Sequence, residues 1–150
     1  MAARRALPGE AEKARAALKK WRQGTGRHYK RDRRLKDPAF RIAANVAGRF
    51  KSYFNSQGKG NRRFKTFGYV ECTPEQLRDH IQSLWLPGMS WENYGIKGWH
   101  IDHIRPISSF NFFDAFGNEN VEQVKASMHY TNFQPLWYAD NIRKGNKISL

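Results

Sequence analysis

The chain has 150 residues, with 27 Lys or Arg against 13 Asp or Glu and a formal net charge of +14 at neutral pH. That length holds one domain, or one compact domain with an appendage, and a 39% apolar share supports a modest core. No run approaches the roughly 18 apolar residues of a membrane span, and the single cysteine, Cys72, excludes an internal disulfide and a cysteine-rich zinc site. The basic start, Met1-Ala2-Ala3-Arg4-Arg5, has no apolar stretch behind it, so no signal peptide is expected. The cytoplasm of a bacterial or phage-infected cell is the expected compartment.

The charge is unevenly placed. Residues 1–66 hold 20 of the Lys and Arg and four acids, whereas residues 67–150 hold seven basic and nine acidic residues. A polyanionic partner follows, since phosphate neutralisation and counterion release drive binding to such surfaces. A solubilising basic tail, or contact with anionic lipid or RNA, is the plainer reading; charge and abundant aromatics together favour nucleic acid. The expected organisation is a basic helical region over 1–66 and a second domain over 67–150.

In chain order, residues 9–22 read as a short helix, with Ala14, Ala17, Leu18 and Trp21 at helical spacing. Gly24-Thr25-Gly26 breaks it, and residues 27–36 form a charge cluster with little apolar pattern. Asp37-Pro38 reads as an N-cap with proline at the first helical position. The helix behind it runs to about residue 55, burying Phe40, Ala43, Val46 or Ala47, Phe50 and Phe54, with Arg41, Arg49 and Lys51 toward solvent. The Gly- and base-rich loop from Ser56 to Lys65 either lies along a phosphate backbone or is a solvated connection. Thr73-Pro74-Glu75-Gln76 has the pattern of a capping box; the helix after it sends Leu77, Ile81, Leu84 and Trp85 to the core and ends at Pro87-Gly88. Trp99 to Ile104 reads as a strand. A long connection over 107–130 follows, with Phe110, Phe112 and Phe113 and a short helix from Asn120 to Met128. Phe133 to Leu136 is a second strand, and Asp140 to Lys147 a final helix. Trp91, Tyr94, Trp99 and Trp137 are read as core rather than base-stacking residues.

Phosphodiester hydrolysis needs an activated water, a stabilised leaving alkoxide and neutralised phosphate charge. A neutral histidine takes a proton from water near pH 7. Magnesium requires few protein ligands and keeps several waters or phosphate oxygens, so one carboxylate and one amide oxygen suffice. Asp102, His103 and Asn141 supply that set.

The run Trp99-His100-Ile101-Asp102-His103-Ile104-Arg105-Pro106, followed by Asn132 and by Asn141-Ile142-Arg143-Lys144, resembles the HNH nucleases, which have the ββα-metal fold. The resemblance extends to free-standing HNH endonucleases of phage and homing type through Met89-Ser90-Trp91-Glu92-Asn93-Tyr94-Gly95 and Asn132-Phe133-Gln134-Pro135-Leu136-Trp137, where Phe133 stands for the family's Leu. It covers residues 68–148 and weakens in the basic N-terminal part. It implies an α+β fold with a ββα-metal (His-Me finger) centre beside a basic, mostly helical N-terminal region. It implies His103 as general base, Asp102 and Asn141 as metal ligands, and Asn132 holding loop and strands in register so as to orient His103. Asn141 takes a position where many relatives have His, which suits a hard ion such as Mg2+, or Mn2+ or another divalent cation, better than zinc. Lys144, one turn further on, would contact the phosphate.

The expected activity is metal-dependent nicking or cleavage of double-stranded DNA. Arg105, Arg31, Arg33, Arg34, Arg41, Lys59, Arg62 and Arg63 are the expected DNA contacts. One centre cuts one strand, so a staggered break needs a homodimer or a second event. The alternative is a non-catalytic DNA-binding or phage packaging accessory protein that retains the fold; homing, restriction and toxin nucleases share the chemistry. Plainer readings stand beside these roles. Asn132 is otherwise a turn residue and Arg105 a solvated arginine. His100 shares a strand face with Asp102 and is either near the site or a satisfied structural histidine. His129 reads as structural, and His28 and His80 lie outside the motifs.

Overall fold

The computed structural model describes residues 9–56 and 66–148. The expected DNA contacts Lys59, Arg62 and Arg63 lie outside the described residues. Packing divides the chain into two units, between Asp37 and Pro38.

The first unit contains α1 (Glu10–Gln23) and α2 (Thr25–Lys36). The Gly24 break separates them as expected, but the charge cluster behind it is helical. Lys and Arg are good helix formers, losing little side-chain freedom there, and Arg33 pairs with Asp37 four residues on at 3.2 Å. The apolar stripe of α1 forms without burial: α1 buries no residue and α2 buries only Gly26. Trp21 lies against Gly26, where an added Cβ would come within 2.7 Å of the indole ring. Leu18, Trp21, Tyr29 and Leu35 remain exposed.

The second unit is α+β. Its long helix, α3 (Pro38–Ser56), buries Ala39, Ile42, Ala43, Val46, Phe50 and Phe54. Phe40 and Ala47 are only half-buried, and Ile42 takes the place expected for Phe40. Because this stripe supplies the core of the second unit, α3 belongs there by packing, and the division falls at Asp37–Pro38 instead of residue 66. A short helix, α4 (Thr66–Val70), follows. In α5 (Pro74–Ser83) the capping box is complete: the Thr73 hydroxyl accepts from the Gln76 N–H at 3.2 Å, and the Thr73 N–H donates to Gln76 Oε1 at 2.8 Å. Leu77 and Ile81 are buried, but the helix stops at Ser83, so Leu84 is exposed and Trp85 half-buried.

Two strands, β1 (Trp99–His103) and β2 (Phe133–Trp137), form one antiparallel sheet, with Trp99 opposite Trp137, Asp102 opposite Gln134 and His103 opposite Phe133. Between them run a turn of 3-10 helix (Ile107–Ser109), α6 (Val121–Met128) and a second 3-10 turn (Tyr130–Asn132). Asn120 caps α6 by accepting from the Gln123 N–H at 3.2 Å. The last helix, α7 (Tyr138–Lys144), starts directly from β2 and ends three residues earlier than expected, at Gly145 with its positive φ of 53°. The core joins Ile42, Val46, Phe50 and Phe54 to Leu77, Ile81, Trp99, Ile101, Phe110, Phe112, Val124, Met128 and Phe133. Trp99 centres an aromatic group, stacked on Tyr94 at 4.5 Å and edge-on to Trp85, with Trp91 tilted against it. These rings are core, as expected, and Trp137 packs against them. No helix among the described residues is long and apolar enough to cross a membrane.

Candidate active site

Alternation along β1 separates two chemistries. Successive side chains leave a strand on opposite faces, so Trp99, Ile101 and His103 are buried while His100 and Asp102 are half-buried on the other face. His103 enters the core edge-on to the rings of Phe50 at 5.8 Å and Phe133 at 4.9 Å. Its Nε2 is buried without a hydrogen-bond partner among the described residues. Burial, aided by the positive charges of Arg49 and Lys144, pushes its pKa down to about 4 against the opposing pull of Asp102. The imidazole is therefore neutral at pH 7, the state a proton acceptor needs.

Asn132 clamps the strand end. Strand pairing stops at His103, and the Ile104 N–H donates to the Asn132 carbonyl at 2.9 Å. The Asn132 side chain then accepts from the Arg105 N–H at 2.9 Å and donates to the Arg105 carbonyl at 3.1 Å and the Ser127 carbonyl at 3.0 Å. One amide thus ties the segment behind His103 to the end of α6.

On the other face, Asp102 Oδ2 accepts from Gln134 Nε2 at 3.2 Å and pairs with the Lys144 ammonium at 2.9 Å. Lys144 also donates to the His103 carbonyl at 2.7 Å. Its side chain is only 9% exposed. Lys144 was expected to contact phosphate; here α7 lies along the sheet and the long side chain reaches inward to the nearest carboxylate. Asn141, one turn earlier, places Nδ2 3.4 Å from His100 Nδ1.

Asp102 and Asn141 are the oxygen donors that a hard cation would use here. Neither Asp102 Oδ1 nor Asn141 Oδ1 carries a hydrogen bond among the described residues. Two oxygen donors suit Mg2+ better than zinc. No three His, Cys, Asp or Glu side chains cluster as ligands among the described residues. The Lys144 ammonium is a competitor that such a cation would have to displace or share Asp102 with.

The expected DNA contacts fall into separate groups. Arg31, Arg33 and Arg34 are exposed on α2, Arg31 beside Asp32 at 3.5 Å and Arg33 beside Asp37. Arg105 is exposed but tied down, donating to the Ser109 hydroxyl and carbonyl and lying over the Phe110 ring at 4.0 Å. Arg41 is not solvent-directed: it donates to the Tyr94 carbonyl and lies over the Tyr94 ring at 4.6 Å. Arg49 is exposed as expected, yet its guanidinium also donates to the Ile101 carbonyl in β1. Both arginines sit at the margin of the buried stripe of α3, where a long side chain can reach across to backbone and keep its stem on apolar surface. His80 donates its Nε2–H to the Phe133 carbonyl oxygen at 3.1 Å, and His129 contacts Thr131 at 2.7 Å, so both have structural partners. Sequence reasoning missed Gln134 and Arg49 as neighbours of the site. The alternation of β2 puts Gln134 on the same face as Leu136, but only strand register sets it opposite Asp102; Arg49 left no local signal.

A scan of protein-family models, a search of curated proteins and a search of solved structures each give no match to this chain.

Proposed function

We propose that the chain is a metal-dependent endonuclease of double-stranded DNA, with His103 as general base and one divalent cation held by Asp102 and Asn141. The observation that carries this reading is the convergence of β1, the Asn132 turn and α7: Lys144 spans Asp102 and His103, while Asn132 holds both polar groups of the Arg105 backbone. His103, neutral at pH 7, accepts the proton of the attacking water. Asn132 fixes the strand end that carries it. Asp102 and Asn141 offer oxygen donors; Mg2+ bound there would supply charge neutralisation and stabilisation of the leaving 3′-oxygen. Arg31, Arg33 and Arg34 on α2 contribute affinity that does not depend on sequence.

The test is cleavage of supercoiled plasmid with Mg2+ or Mn2+, with and without EDTA, beside His103→Ala. We expect nicking that EDTA abolishes and a loss of about 100-fold or more in the variant. Cleavage by His103→Ala at the wild-type rate would overturn the mechanism. The rival reading is a DNA-binding or packaging accessory that keeps the fold without catalysis. The half-buried Lys144–Asp102 pair favours it, because an ammonium already neutralises the carboxylate. Tight DNA binding with no cleavage in Mg2+, Mn2+ or Ni2+ would select that rival.

A further inference from the structure

We infer that His100 is a positioning residue that holds the Asn141 amide with its oxygen free to meet a cation. The inference rests on the reading of Asn141 as a cation ligand. His100 Nε2 lies 2.9 Å from the Gly95 carbonyl oxygen. A carbonyl only accepts, so Nε2 carries the ring proton, and in the neutral imidazole Nδ1 is left as an acceptor. The Asn141 nitrogen 3.4 Å from Nδ1 is therefore the donor, and the amide oxygen is directed away from His100. Were the amide reversed, its oxygen would face the Nδ1 lone pair and its NH2 group would occupy the position from which a metal is bound.

The tautomer is itself secured from further out. Gly95 has φ +139°, a conformation side chains rarely adopt, and an added Cβ would sit 3.3 Å from the Arg41 guanidinium. Arg41 donates to the carbonyl of Tyr94, the residue before it, and lies over that ring. Tyr94 in turn bonds Asn45 of α3 through its hydroxyl at 2.7 Å and stacks on Trp99. The Gly95 carbonyl is thus presented by a turn held from α3, and the Tyr138 ring meets His100 edge-on at 5.6 Å. A hydrogen-bond partner behind a ligand sets its orientation and typically changes metal affinity by about 10–100-fold when removed. The half-buried histidine and the Asn93-Tyr94-Gly95 turn acquire one purpose: Arg41 sets the turn, the turn sets His100, and His100 sets Asn141.

The experiment is titration of the metal-free protein with Mn2+, read by the paramagnetic resonance of free Mn2+, which reports binding without turnover. His100→Leu removes the acceptor. His100→Asn returns an oxygen near the position of Nδ1. We expect His100→Leu to weaken Mn2+ binding about tenfold or more, and His100→Asn to recover most of that loss, with thermal midpoints of the two variants alike. Equal Mn2+ affinity in wild type and His100→Leu, or in His100→Leu and His100→Asn, would overturn the inference. Asp102→Ala and Asn141→Ala separate it from its foundation. If they lose Mn2+ while His100→Leu does not, only the positioning role fails; if they bind as wild type does, the cation-ligand reading fails and the role of His100 with it.

Discussion

The two units of this chain use the same helical spacing to different ends. In α1, Ala14, Ala17, Leu18 and Trp21 form a stripe, yet the helix buries nothing. In α3 a comparable stripe is closed over by α5 and the sheet, and Ile42, Val46, Phe50 and Phe54 are lost to solvent. An apolar periodicity therefore specifies a helix in both places but a core in only one. What differs is the supply of bulky partners: the second unit brings Trp99, Phe110, Phe112 and Phe133, and the first brings mainly Lys and Arg. One unit is built to hold side chains still, the other to present charge.

The sharpest way to break this contrast is to open the core. Phe50→Ala should lower stability by about 3–5 kcal/mol, measured by urea unfolding, and should loosen His103, whose ring packs on Phe50. A cost below about 1 kcal/mol would mean that α3 is not the organising helix. His103 provides a second test in metal-free protein. Its folded-state value of about 4 lies below the ordinary 6.5, so the unfolded chain takes up the proton first. This contribution is present above pH 6.5 and falls away as pH drops toward 4, by roughly 3 kcal/mol. His103→Leu should remove that part of the acid slope; an unchanged slope would refute the assignment.

Asn132→Ala should cost about 1–3 kcal/mol, since three hydrogen bonds are lost at a partly exposed strand end. Cleavage should fall with it even at temperatures where the variant is folded, and full activity in folded Asn132→Ala would deny the clamp. The first unit should respond in the opposite manner. Replacing Arg31, Arg33 and Arg34 by Gln should leave the urea midpoint of the second unit in place. The slope of log affinity for DNA against log salt should drop by about 0.9 for each phosphate contact removed. An unaltered slope would move the DNA contacts elsewhere.

Much of the second unit was legible beforehand because its signals are local. The Thr73 capping box, the short helix ending at Met128 and the two strands each depend on neighbours a few residues apart, and each occurs where the spacing put it. The helical state of residues 27–36 was missed because a charge cluster hides no apolar period, although Lys and Arg favour helix. Arg41 was assigned to solvent, and the inward hydrogen bond of the exposed Arg49 was missed, for the converse reason. A helical period says which face a residue occupies, not how far a long side chain can reach back.

The sequence by itself determined the long helix and the strand–loop–strand–helix order of the second unit and the basic character of the first, and it offered Asp102, His103, Asn132, Asn141 and Lys144 as a candidate set. Only the tertiary structure decided how these residues meet. Strand alternation sends His103 into the core and Asp102 out of it, and antiparallel register sets Gln134 against Asp102. The docking of α7 then turns Lys144 onto that carboxylate and Asn141 onto His100. Residue types carry the available chemistry, whereas pairings across thirty or forty positions depend on register and packing, which no local pattern encodes.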